Sequence, residues 1–142
     1  MIQHRVTVDL DCPVEQVFAF VIDPKNLRSW QSGLVESQVL TEGPLRVGTR
    51  VREVRKMGPT QSEVQAEITV LEPNKRFATR TVTKPQVTIN YTFETKGAGT
   101  RLTYEFVMQT NGLMRLLEPL IAGSIKKDSD SDFEQLRHVL GR

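Results

Sequence analysis

A chain of 142 residues, 38% hydrophobic and 25% charged, has the make-up of a globular protein. Its length suits one domain, residues 1–142, burying roughly 70% of the surface its unfolded form exposes. The 19 basic and 17 acidic residues leave a formal charge of +2, spread along the chain, which makes no electrostatic case for nucleic acid or an acidic membrane surface. The single cysteine, Cys12, excludes an internal disulfide and fits a reducing compartment. The amino terminus lacks the apolar core of a signal peptide, and no run reaches the length of a membrane span. A cytoplasmic protein without stable membrane insertion is the expectation.

Residues 3–10 alternate, with Val6, Val8 and Leu10 on one face and Arg5, Thr7 and Asp9 on the other, as in a half-buried strand. Two helix starts then fall within residues 12–30. Pro13 suits a first helical turn, with Glu15 close behind, and Val14, Val17, Phe18 and Val21 recur at helical spacing. Asp23-Pro24 repeats the device, Asp23 as N-cap, and leads into a short segment ending near Trp30. Residues 34–41 form a second strand, closed by Gly43-Pro44. Residues 47–57 and 61–71 read as a hairpin around Gly58-Pro59. In its second arm Val64, Ala66, Ile68 and Val70 share a face. Pro73-Asn74 and Lys84-Pro85 bracket a strand at 76–82. Val87, Ile89, Tyr91 and Phe93 then alternate with polar residues, Gly97-Ala98-Gly99 turns the chain, and Leu102, Tyr104, Phe106 and Met108 line the last strand. Tight turns between successive strands predict an antiparallel meander.

From Asn111 the period changes from two to about 3.6. Leu113, Leu116, Leu117, Leu120, Ile121 and Ile125 make an apolar stripe, resumed by Phe133, Leu136 and Leu140, and the stripe is expected to be mainly core. Pro119 should kink this helix or start its main body. The polar run Lys126 to Asp132 reads as a solvated helical face with Lys126 supported by Asp130, or as a local break. A twisted sheet cannot meet one straight helix along its whole length, so a cavity can remain where they diverge, its edge closed by the short helix pair.

The residues Pro13-Val-Glu-Gln-Val-Phe-Ala-Phe-Val, Asp23-Pro24, Trp30, Val47-Gly48-Thr49-Arg50, Leu71-Glu72-Pro73 before Arg76-Phe77-Ala78, and Gly99-Thr100-Arg101-Leu102-Thr103 resemble the polyketide cyclase/dehydrase and lipid-transport family. That family lies in the START-like (SRPBCC) superfamily, and the resemblance runs from residue 3 to about 140. It implies an α+β helix-grip fold in the order β-α-α-β-β-β-β-β-β-α, about seven strands of curved antiparallel sheet wrapped around a long C-terminal helix. It also implies a deep hydrophobic pocket. Members range from lipid carriers to cyclases, so the motifs speak for fold more than for activity.

Catalytic constellations are sparse. His4 and His138 have no metal-binding spacing, no glycine loop precedes a helix, and no serine triad is suggested, so neither a metal nor a cofactor is expected. Cys12 beside a helix start is a candidate for a depressed pKa, against the blander role of a surface or cap-region residue. Glu53 and Arg55 are the polar candidates. In strand 47–57 they share a face with Val51 and Met57; with the more cationic opposite face in water, they point into the cavity. There they would need each other or a polar ligand group, and could perform acid–base work. A bulge near Gly48 would instead turn both into solvent. Trp30 is either a core plug or a pocket-rim contact, and Tyr91 and Tyr104 each need a hydrogen-bond partner. The expected lining comprises these residues with Val51, Ala66 and Ile68, with Phe77, Thr79, Phe93 and Phe106, and with Leu117 and Ile121 of the last helix.

Three functions follow: binding of a small hydrophobic, partly oxygenated ligand; a cyclase, dehydratase or aromatase acting on a polyketide-like substrate; and an interaction module, which would need a long exposed apolar patch that the sequence does not obviously have. A homodimer stays open.

Overall fold

A computed structural model describes residues 1–57 and 60–140. Strand β1 (Ile2–Leu10) leads into helix α1 (Val14–Ile22) and a 3-10 turn at Pro24–Ser29. Six strands follow: β2 (Leu34–Val39), β3 (Arg50–Met57), β4 (Thr60–Glu72), β5 (Arg76–Thr81), β6 (Val87–Lys96) and β7 (Gly99–Met108). Two helices end the chain, α2 (Leu113–Leu116) and α3 (Glu118–Leu140). The seven strands form one antiparallel sheet in the order β1-β7-β6-β5-β4-β3-β2. The meander thus holds from β2 to β7, and β1 returns to the outer edge of β7. The turn expected at Gly58-Pro59 lies outside the described residues.

Alternation along the strands becomes rows across the sheet. Phe77, Tyr91, Tyr104 and Val6 are register neighbours on β5, β6, β7 and β1. One row along, Phe93, Leu102 and Val8 align; on the other side lie Thr79, Ile89, Phe106 and His4. The row of Phe93 is capped by α1, whose Phe18 meets Phe93 edge-on at 5.0 Å. Pro13 precedes α1 rather than opening it, and its carbonyl accepts from Gln16 and Val17 N–H. Asp23 caps the 3-10 turn as expected, accepting from Lys25 N–H at 3.0 Å. Cys12 is buried, not on the surface: its thiol donates to Gln16 Oε1, and its carbonyl accepts from the buried Thr100 hydroxyl at 2.7 Å.

Two register shifts interrupt the pattern, between Leu34 and Glu36 and between Ile68 and Val70. The second inserts one residue in β4 and exchanges its faces beyond Ile68. Leu71, opposite Phe77, therefore packs on the core where simple alternation would have put Val70.

Helix α3 is continuous through the polar run, with Lys126 paired to Asp130 at 3.0 Å, and Pro119 sits in its first turn, where no hydrogen bond is lost. The leucine stripe is a correction. Leu113, Leu116 and Leu120 are 80%, 78% and 77% exposed, and Leu117 is 53% exposed. The segment is apolar on more than one face. Met114, Ile121 and Ile125 turn towards the core and leave the leucines outside.

At the last hairpin, Gly97 has φ of +61°, and a Cβ on Gly99 would collide with the Leu10 carbonyl oxygen. Backbone cannot yield as a side chain can, so Gly99→Ala should destabilise the fold by about 1–3 kcal/mol. Gly123→Ala, in open space on α3, should stabilise it by about 0.5–1 kcal/mol. Urea unfolding midpoints check both; equal midpoints for the two variants would refute this reading of the β1–β7 contact.

Candidate functional site

Between the sheet and α3 lies a cavity of about 370 Å³. Its walls follow from the rows. The Phe93 row is covered by α1, and the Tyr91–Tyr104 row is covered by Phe133 of α3, with ring centroids 4.8 Å from Tyr104 and 6.5 Å from Tyr91. Beyond Phe133 the sheet continues through Phe106, Ile89, Thr79 and Ile68, but the α3 residues that line the cavity there are Ser129, Asp128 and a single apolar one, Ile125. The helix pair closes the near side with Val21, Leu27 and Trp30, and β3 closes the far side.

Of the residues expected to line this space, Trp30, Val51, Glu53, Arg55, Ala66 and Ile68 do so, as do Phe77, Thr79, Tyr91, Tyr104 and Phe106. Three lie elsewhere. Phe93 is spent against Phe18, Leu117 caps α2 and faces outward, and Ile121 packs against the core without reaching the cavity. The cavity-facing side of α3 is instead Ile125, Ser129, Asp132 and Phe133. Ile125 and Phe133 belong to the apolar stripe read from the sequence, but Ser129 and Asp132 were hidden because the polar run that holds them reads as solvated; the i, i+4, i+7, i+8 spacing of the four is the signal that would have found them. Gln31, beside Trp30, was also missed.

The polar groups converge at one pole. Arg55 donates from Nε to Glu53 Oε1 at 2.9 Å and from Nη2 to Gln31 Oε1 at 2.8 Å, and Nη2 lies 2.8 Å from the same Glu53 oxygen as an ion pair. The side chains of Glu53 and Arg55 are 16% and 31% exposed. The register shifts fall at 34–36 and 68–70, leaving β3 regular from Arg50 to Met57 against β4. Across the cavity, Asp132 Oδ1 accepts from Ser32 N–H at 3.1 Å and from the Ser32 hydroxyl at 3.0 Å. Burial still raises its carboxyl above the usual carboxylate range. Trp30 is 2% exposed, and its indole N–H has no acceptor among the described residues. Trp30 and Asp132 also line a shallower groove on the outer surface, beside Arg28 and His138. Among the described residues no group of three or more His, Cys, Asp or Glu is arranged to hold a metal, and no helix is long and apolar enough to cross a membrane.

Sheet, helix pair and terminal helix enclosing one apolar space can be set beside known proteins. The family model described as polyketide cyclase / dehydrase and lipid transport matches residues 1–141. The chain belongs to this family. Its seven-stranded sheet around a long C-terminal helix is the α+β helix-grip fold of SRPBCC proteins. Among solved structures it is similar to TTHA0849 from Thermus thermophilus, with TM-score 0.82 and 16% identity over 96% of this chain and 94% of that one. Ara h 8.0201 superposes with TM-score 0.74 and 12% identity over 97% and 96% of the two chains. The di-domain ARO/CYC BexL from the BE-7585A biosynthetic pathway does so with TM-score 0.76 and 16% identity, over 97% of this chain and 46% of that one. At these identities the likeness is one of fold. No curated protein matches the chain.

The two tyrosines report on the cavity. Burial holds the Tyr91 phenol well above its ordinary value and pushes Tyr104 up to about 12, the latter against a hydrogen bond with Ser129. Both stay protonated through neutral pH. A raised folded pKa means the native state holds the proton more tightly than the unfolded chain. The resulting stability is fully present below about pH 10 and is lost as pH rises through the folded values. These are the only two tyrosines, so the ultraviolet absorbance of tyrosinate is a clean readout. Native protein near pH 10.5 should show little of it, and urea-unfolded protein should show more than half of the full signal. Equal native and unfolded titrations would contradict the burial described.

Proposed function

We propose that the protein binds a small, mainly apolar molecule carrying one oxygen-bearing polar group, with the apolar part between sheet and α3 and the polar group at the Glu53–Arg55 pole. The observation that carries this reading is the pairing of a 370 Å³ space, walled largely by apolar and aromatic side chains, with the hydrogen-bonded Glu53–Arg55–Gln31 cluster. Ligand sites take this form, apolar walls giving affinity and a few placed polar groups giving orientation. Arg55 already satisfies Glu53 and Gln31, but its Nη1 and the Glu53 Oε2 have no protein hydrogen bond among the described residues, which suits a hydroxyl or carbonyl. Family membership and the shared fold support binding of a hydrophobic ligand.

A second reading, a cyclase or dehydratase acting on a polyketide-like substrate, is favoured by one detail. The Tyr91 phenol and the Glu53 carboxylate both line the cavity, so a proton donor and a carboxylate face one space. Glu53→Gln separates the two. It keeps the shape and an acceptor, so binding alone should persist, whereas base catalysis would be lost.

Native mass spectrometry of protein purified from its own host tests the main reading. A bound organic molecule of discrete mass is expected. The double variant Glu53→Gln/Arg55→Met removes both charges together, so neither is left unpaired. It should weaken ligand retention by about tenfold or more, the worth of one charge-assisted hydrogen bond. Unliganded protein that also takes up no long-chain alcohol or carboxylic acid would refute the proposal.

A further inference from the structure

The exposed leucines need a second explanation, because a cavity-binding role leaves them unused. Leu113 and Leu116 on α2, Leu117 at its C-cap and Leu120 in the first turn of α3 are each more than half exposed. Exposed leucines occur singly on most proteins; four on adjoining turns form a patch. Up to Asp128, which follows directly, the charge along this segment is mainly basic. Residues 111–127 carry Arg115, Lys126 and Lys127 against one carboxylate, Glu118. That carboxylate is paired with the Met1 ammonium at 2.9 Å and accepts a hydrogen bond from the Thr110 hydroxyl. Lys126 pairs with Asp130, whereas Arg115 and Lys127 make no ion pair among the described residues. Lys127 stands seven residues beyond Leu120, on the same face of α3 and roughly 10 Å along its axis.

We propose that this leucine face, formed by α2 and the first turn of α3, docks on the surface of an anionic lipid bilayer. The leucines sit at the boundary of the acyl chains, and Arg115 and Lys127 reach lipid phosphates. The near-neutral charge of the whole chain concealed this, because the cationic bias is confined to one segment. An apolar face flanked by cations gains both from burial and from attraction to anionic headgroups. A second copy of the chain fits less well. Self-pairing would gather Arg115 and Lys127 of both copies at one interface. Four leucine side chains also fall short of the roughly 800 Å² per partner that a stable interface buries. The end of the cavity lies close by, since Met108 and Ile125, which flank the segment in sequence, both line it. The proposal does not rest on the identity of the cavity ligand.

Vesicle co-sedimentation tests it, with phosphatidylcholine vesicles and with vesicles of phosphatidylcholine mixed with phosphatidylglycerol. Wild-type protein should pellet with the mixed vesicles and only weakly with the neutral ones, and the binding should fall as salt is raised. Leu116→Gln/Leu120→Gln and, separately, Arg115→Glu/Lys127→Glu should each reduce bound protein about tenfold. All four positions are solvent-exposed, so thermal melting should be unchanged; the charge variant tests the proposal even if the leucine variant melts early. Absence of wild-type binding to mixed vesicles, or binding untouched by both double variants, would overturn it. So would a dimer in analytical ultracentrifugation that the leucine variant converts to monomer.

Discussion

Phe133 of α3 rests on the sheet at Tyr104 and Tyr91 and against the helix pair at Trp30, the last with ring centroids 5.2 Å apart. Three parts of the chain that are far apart in sequence meet at this one aromatic junction. On one side of it the interior is solid: Phe93, Leu102, Val17 and Leu136 fill the space under α1. On the other side the helix and the twisted sheet separate, and beyond Phe133 the only apolar residue of α3 that lines the gap is Ile125. Each aromatic contact adds about 0.5–1.5 kcal/mol beyond the area it buries. The junction therefore holds α3 at a fixed distance from the sheet, and the cavity is a consequence of that spacing.

The polar pole has its own constraint. A carboxylate and a guanidinium withdrawn from water are tolerated only when they meet each other with good geometry. Glu53 and Arg55 do so along one face of β3, and Gln31, in the loop after the 3-10 turn, completes the arrangement. This pairing ties the lid to the far wall, as Ser32 and Asp132 tie it to α3. The same loop that closes the cavity thus presents its polar groups to it.

Much of this was legible in residue order. Alternation in β1, β6 and β7 maps directly onto the rows of the sheet, because period two leaves a strand little choice once one face is buried. Asp23 as cap and the side of β3 carrying Glu53 were readable for the same reason. What escaped depended on three-dimensional supply. The leucines from 113 to 120 have the spacing of a core stripe, and only the position of α2 and the competing stripe of Met114, Ile121 and Ile125 show that no surface faces them. Ser129 and Asp132 read as solvent-facing because polarity, not position, dominates a run such as Lys126 to Asp132. The shift at Ile68 carries no residue signature, so Leu71 and Val70 could be sorted only by their partners on β5.

The central claim is that the space beside Phe133 admits an apolar molecule. Trp30 is the only tryptophan in the chain, is almost fully buried, and forms part of the cavity wall, so all tryptophan fluorescence comes from that wall. Titration with a brominated long-chain carboxylic acid is the most direct measurement, since bromine quenches an indole only at contact. Saturable quenching of Trp30, reversed by an unbrominated competitor, is the predicted result. Emission that stays constant up to the solubility limit of the probe would contradict the account.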